Sequence, residues 1–188
     1  MRTVCAILAA GLSRRFGAAD KLRAPLRGRA LLDHAAGTAR ALAVEERVIV
    51  TVAGRPAPPG FRAVVNPAPE RGQGTSLALA AQHADAAGAD RLLVLLGDTP
   101  FVTPAHARAV MDACTRARPA ASVDGGTVMP PACFPRSWFG RLAALDGERG
   151  AGALLKGLPS DALVAAEAGA LFDIDTPNDL SRLRAGAA

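Results

Sequence analysis

The chain has 188 residues, half of them apolar, with a net charge of +5 and a pI near 10. That length suits one domain with a sizeable core. No apolar run approaches the ~18 residues of a membrane span, and the cations are scattered with no basic run and no Tyr, so a membrane protein and a nucleic-acid binder are both excluded as first readings.

In chain order, Val4-Cys5-Ala6-Ile7-Leu8 reads as a first strand rather than a signal peptide, because the apolar run leads straight into a Gly-containing loop. A cytoplasmic location is expected on that ground. Residues 31–43 have helical composition. Residues 47–52 are β-branched and strand-like. Pro56, Pro58, Pro59 and Gly60 break the chain before a short strand at 63–65. Residues 75–87 predict an Ala-rich helix. Residues 91–96 predict a strand apolar on both faces, as parallel strands are. Thr103-Pro104 predicts a helix start, with the helix running to about Arg116.

Short strands are expected at 120–123 and 126–129, around Asp124-Gly125-Gly126, and short helices at 136–145 and 151–158. Late strands are expected at 162–166 and 171–174, and Thr176-Pro177 caps a last helix to about Leu183. Alternating strands and helices predict an α/β fold, a doubly wound, mostly parallel sheet of Rossmann-like type, as one domain over residues 1–188.

Ligands in such sheets sit at the carboxyl ends of strands. Three features fall there: the loop after Leu8, Gly97-Asp98, and Asp173 to Asp175. The loop offers backbone N–H groups at Ala9 to Gly11, then Ser13, Arg14, Arg15 and Lys21, which together make a polyphosphate cradle. It is not a P-loop, since Gly17 is not followed by Lys-Ser/Thr, and it lacks the Gly-x-Gly-x-x-Gly of a dinucleotide fold. Asp98 and Asp175 could hold Mg²⁺, with Asp173 a rival for the second place. Gly72-Gln73-Gly74-Thr75-Ser76 precedes a helix and reads either as an anion or base contact or as a tight turn before a helix capped by Thr75.

Cys5, Cys114 and Cys133 show no metal-ligand spacing. Cys5 reads as a core residue. His34, His83 and His106 have no partner at i+4 and read as packing or surface residues.

The run Leu8-Ala9-Ala10-Gly11-Leu12-Ser13-Arg14-Arg15-Phe16-Gly17, three residues, Lys21 resembles the first motif of the molybdenum cofactor nucleotidyltransferases, within the wider GT-A-type NTP transferase fold. The likeness continues through Asn66-Pro67, residues 72–77, Gly97-Asp98-Thr99-Pro100, residues 131–134, residues 145–150 and residues 173–180. The resemblance implies that Leu8, Ala9, Ala10, Gly11, Ser13, Asn66, Gly74 and Ser76 bind nucleotide. It implies that Arg15 and Lys21 bind the triphosphate, that Asp98 holds Mg²⁺ and that Asp175 is the second ligand, with Arg15, Lys21 and Asp98 carrying catalysis.

The implied partners are an NTP and a phosphorylated pterin, with a molybdoenzyme or its maturation factor downstream. Ala10 and the Gly-Gln-Gly-Thr-Ser-Leu segment resemble the cytidylyl branch and favour CTP. Thr99 resembles the guanylyl branch and keeps GTP next. Glu148 and Gly152 stand where that cytidylyl branch has Asp and Arg, and Pro130-Pro131 where it has His-Pro, which leaves the acceptor side least defined. The alternatives are transfer to another phosphorylated acceptor and a non-catalytic cofactor chaperone.

Overall fold

A computed structural model describes residues 1–17, 19–147 and 150–185. Its strands are β1 (Thr3–Leu8), β2 (Pro25–Leu26), β3 (Arg29–Ala30), β4 (Glu46–Thr51), β5 (Arg62–Val65), β6 (Arg91–Leu96), β7 (Ala120–Asp124), β8 (Thr127–Pro135) and β9 (Leu163–Ala165). Its helices are α1 (Leu31–Arg40), α2 (Gln73–Ala86), α3 (Pro104–Ala113), α4 (Phe139–Ala143), α5 (Gly152–Leu155) and α6 (Pro177–Ala185). Seven strands form one sheet in the order β5-β4-β1-β6-β8-β7-β9, in which β8 alone runs antiparallel to its neighbours. The expected doubly wound α/β fold is what forms. Among the described residues no helix is long and apolar enough to cross a membrane.

β1 explains the layering. Its side chains alternate, as strand geometry requires. Cys5 and Ile7 join Leu31, Ala35 and Ala36 of α1 and Val110 and Met111 of α3 in one core. Val4, Ala6 and Leu8 join Leu77, Ala80, Ala81 and Ala84 of α2 and Phe139 and Leu142 of α4 in the other. Both faces are dry, so the strand is apolar from Val4 to Leu8. The chain winds outward from β1 to β4 and β5, then returns to β6 on the other side of β1. The winding therefore reverses at β1, and the crevice of the fold opens at the carboxyl ends of β1 and β6.

Several expectations move. Helix α1 stops at Arg40, not Ala43, because the Arg47 guanidinium takes the carbonyls of Ala39, Arg40 and Leu42. Helix α2 starts at Gln73, so Thr75 lies inside its first turn. Thr75 Oγ1 donates to the Gly72 carbonyl at 2.8 Å instead of capping. Helix α3 begins as expected, with Thr103 accepting from the His106 N–H, but ends at Ala113.

Strand β8 is nine residues long, not four. Pro130 and Pro131, just beyond the expected strand, cannot donate to a ladder. The structure places both prolines at an irregularity, where the partner of β7 jumps from Ala132 to Met129. The expected strand at 171–174 does not form. Leu171 and Ile174 are buried, but one backbone bond, from Ile174 N–H to the Asp98 carbonyl at 3.1 Å, replaces a ladder. The β2–β3 hairpin was not expected. Its turn residues, Arg27 and Gly28, both have positive φ, the geometry a two-residue hairpin needs.

Helix α6 starts with reciprocal caps. Thr176 Oγ1 accepts from the Asp179 N–H at 3.2 Å, and Asp179 Oδ2 accepts from the Thr176 N–H at 2.8 Å. The Thr176 hydroxyl and then its N–H hold the Asp179 carboxyl below the usual aspartate range. A depressed carboxyl adds stability above its unfolded value and loses it as pH falls through the folded one. Asp179→Ala is therefore expected to lower the melting temperature at neutral pH, with the gap to the parent closing in acid. Thermal melts across pH check this, and a gap that persists undiminished in acid would contradict it.

Candidate functional site

The first loop leaves the sheet in a defined way. The Ala9 N–H still bonds the Val50 carbonyl at 2.8 Å, extending the β1–β4 ladder by one residue. The N–H groups of Ala10 to Arg15 then find no acceptor among the described residues. Ser13 adopts a left-handed conformation, φ 52°, uncommon outside Gly, and curls the chain. Its carbonyl receives the Phe16 N–H at 2.8 Å, and its Oγ receives the Lys21 N–H at 3.4 Å.

This curl forms one wall of a cavity of about 310 Å³, a size suited to a small organic ligand. Leu8 and Ala10 to Arg15 supply one side, the α2 end with Glu70, Gly72, Gln73 and Ser76 a second, and Lys21, Asp98 and Asp175 a third.

The third side is a charge network. Lys21 Nζ lies 2.7 Å from Asp98 Oδ2 and 3.0 Å from Asp175 Oδ1. Arg15 Nη2 lies 2.7 Å from Asp175 Oδ2. The Lys21 side chain is 10% exposed. Burial works against its charge, but the Asp98 carboxylate, followed by Asp175, outweighs burial and raises its pKa above the ordinary lysine value. Asp173 does not line the cavity. Burial first, then the charges of Asp175 and Asp98, push its pKa up. Asp173 lies close enough to feel the charges of Asp98 and Asp175, but Asp175 is the one that shares the Lys21 ammonium with Asp98. The Ile174–Asp98 backbone bond is what brings it there.

Leu8, Ala10, Gly11, Ser13, Arg15, Lys21, Ser76, Asp98 and Asp175 all meet at the cavity. Three expected nucleotide contacts do not. Ala9 is 2% exposed, its N–H is taken by Val50, and its carbonyl accepts from Arg55 Nη1. Asn66 is 2% exposed. Its amide nitrogen donates to Thr75 Oγ1 at 2.9 Å and Ser76 Oγ at 3.0 Å, and its Oδ1 accepts from the Ala68 N–H. Gly74 donates to the Gly147 carbonyl at 3.0 Å. These two residues pin the start of α2 from beneath rather than face the cavity. Glu148 and Arg149 lie outside the described residues.

Sequence reasoning missed Glu70, Asp20 and Arg55, while Gln73 fell inside the segment at 72–76 read as an anion or base contact. Gln73 packs so closely on Gly150 that a Cβ there would sit 2.5 Å from its Oε1. Asp20 Oδ1 accepts from the Leu22 N–H at 3.1 Å, capping the turn that begins with Lys21. Its Oδ2 accepts from Arg55 Nε at 2.8 Å. A lone Arg after a Gly gives no motif. The available signal was the Asp directly before Lys21.

The three histidines are structural. Each bonds a protein atom: Leu26 O, Glu46 Oε1 or Ser122 Oγ. All three cysteines are free and buried. Burial pushes the Cys5 thiol up to about 12, so it is inert.

Residues 5–164 match the MobA-like NTP transferase domain. The chain is 34% identical over 193 residues to the purine catabolism protein PucB of Bacillus subtilis (strain 168), covering 94% of this chain and 93% of that protein. The crystal structure of Rv0371c from Mycobacterium tuberculosis H37Rv aligns with TM-score 0.80 and 27% identity over 97% of both chains. Its manganese complex aligns with TM-score 0.74 and 25% identity, over 97% of this chain and 98% of that one. A nucleotidyl transferase from Methanothermobacter thermautotroptrophicus, Mth528, shares the fold, with TM-score 0.79 and 20% identity over 98% of this chain and 97% of that one.

Proposed function

Because the chain belongs to the MobA-like NTP transferase family, we propose that it moves CMP from CTP to the terminal phosphate of molybdopterin. In this reaction a phosphate oxygen of the acceptor attacks the α-phosphorus of CTP. A bond forms between them, the bond from the α-phosphorus to the bridging oxygen breaks, and pyrophosphate leaves with that electron pair. An acceptor phosphate is already ionised at neutral pH, so no general base is required.

The observation that carries this reading is the pairing of N–H groups at Ala10 to Arg15, which have no acceptor among the described residues, with Lys21, buried between Asp98 and Asp175. Donors without partners beside a lysine and arginines suit a triphosphate. Arg15 and Lys21 neutralise charge that grows on the leaving phosphates, which is electrostatic catalysis with positioning.

Asp98 and Asp175 already converge on one cation, the Lys21 ammonium, so their carboxylates fit a divalent metal that takes its remaining ligands from phosphate and water. Mg²⁺ held there would supply further neutralisation of the phosphates. The manganese complex of Rv0371c supports divalent metal binding in a relative.

The base assignment has structural support. Thr99, the feature that favoured GTP, is 2% exposed, bonds the Leu96 carbonyl and does not line the cavity. Ala10, the feature that favoured CTP, does line it. The test is thermal shift with CTP, GTP, ATP and UTP, each with Mg²⁺, followed by pyrophosphate release with molybdopterin. Stabilisation by CTP above the others and CTP-dependent release are expected. Stabilisation by GTP alone would reassign the base. A response to no NTP would leave a cofactor chaperone as the better reading.

A further inference from the structure

Arg55 lies outside every motif, yet it touches both ends of the nucleotide loop. Its backbone N–H bonds the Val52 carbonyl at 3.3 Å, fixing it just past β4. Its Nη1 donates to the Ala9 carbonyl, where the loop leaves the sheet. Its Nε donates to Asp20 Oδ2 at 2.8 Å, where the loop ends. Asp20 in turn caps the turn carrying Lys21, and Lys21 Nζ meets Asp98 and Asp175. The Arg55 side chain is 11% exposed.

We infer that Arg55 is a positioning residue that locks the Ala10 end of the loop and its Lys21 end into one register. On the nucleotidyltransferase reading, on which this rests, the first end faces the nucleoside and the second faces the phosphates. A planar guanidinium with two diverging donors spans both where an ammonium would not. Fixing both of the loop's ends also removes freedom its donors would otherwise lose on binding. The sheet does not depend on this clamp, since Ala9 is already bonded to Val50. Without Arg55, Asp20 keeps its cap on Leu22 and is 24% exposed, so no fully buried charge is stranded.

The clamp therefore acts on ligands that span both ends. Isothermal titration with CTP, CMP and pyrophosphate, in Mg²⁺, separates this from a general structural role. Arg55→Met is expected to weaken CTP by at least ~10-fold while CMP and pyrophosphate each change by less than about threefold, because the coupling between two half-sites is lost rather than either half-site. Arg55→Lys recovers part of the loss. Asp20→Asn gives the same CTP-selective weakening, and provides the test should Arg55→Met fold poorly. The double variant is no worse than the more damaging single one.

Equal weakening of all three ligands, or unchanged CTP binding in both Arg55→Met and Asp20→Asn, overturns the inference while leaving the nucleotidyltransferase reading standing. Failure of the unmodified protein to bind CTP or GTP would bring down that reading, and this inference with it.

Discussion

An Asp98→Ala variant is expected to stay folded and to lose pyrophosphate release by roughly 10²–10³-fold, the scale seen when one preorganised electrostatic group is removed from a transition state. The fold survives because Asp98 lies two residues past the end of β6, with its side chain 24% exposed and no role in the strand ladder. Its loss leaves Lys21 paired to Asp175 at 3.0 Å, so no buried ammonium is stranded. The backbone carbonyl of residue 98 still accepts from the Ile174 N–H, so Asp175 keeps its place. A folded variant with a melting temperature modestly below the parent's, because the Lys21–Asp98 hydrogen bond is lost, together with lost turnover, is the expected pair of results. Near-normal turnover in a folded variant would remove Asp98 from the mechanism.

The sequence disclosed those parts of this site that depend on local rules. Strand β1 was legible because five consecutive apolar residues end at a Gly-containing loop. Asp98 was legible because a rigid apolar strand precedes it. The capping of α6 followed from Thr176-Pro177. What stayed hidden depends on contacts distant in sequence. Residues 171–174 look like a strand because Leu171 and Ile174 are buried, yet burial does not make a ladder, and the segment docks through one bond to residue 98. The far half of β8 stayed hidden because Pro130 and Pro131 are the two β8 residues left unpaired between Ala132 and Met129, and only the pairing of Ala120 and Ala121 with Cys133 and Ala132 shows that the strand resumes beyond them.

Asn66 and Gly74 carried the family pattern, but that pattern does not say which side of α2 a residue faces. The structure uses both to hold the helix start in place, so their influence on the cavity passes through Ser76 and Gln73. Arg55 shows the same limit from the other direction. Its role depends on meeting Asp20, 35 residues away, and no spacing rule anticipates that pairing.

Lys21→Ala is expected to be as damaging to turnover as Asp98→Ala, again roughly 10²–10³-fold, but with a different effect on stability. Removing the ammonium leaves Asp98 without an ion-pair partner among the described residues and Asp175 with Arg15 alone, an ion pair whose arginine is 72% exposed. Two carboxylates then face one cavity with less compensation, and a loss of about 1–3 kcal/mol is expected, the range for a charged hydrogen bond broken with its partner left in place.

The pH dependence distinguishes this from a packing effect. The folded-state pKa of Lys21 is raised, so its contribution is complete below the ordinary lysine value and fades only as pH climbs through the higher folded value. The stability gap between parent and variant should therefore be flat across neutral pH and narrow in strong alkali. Denaturant melts at neutral and alkaline pH measure that gap. Asp98→Ala/Lys21→Ala tests the coupling. Once the ammonium is gone, removing the carboxylate relieves repulsion, so the double variant is expected to be more stable than Lys21→Ala alone. Strictly additive losses would mean that Lys21 and Asp98 do not act as a pair.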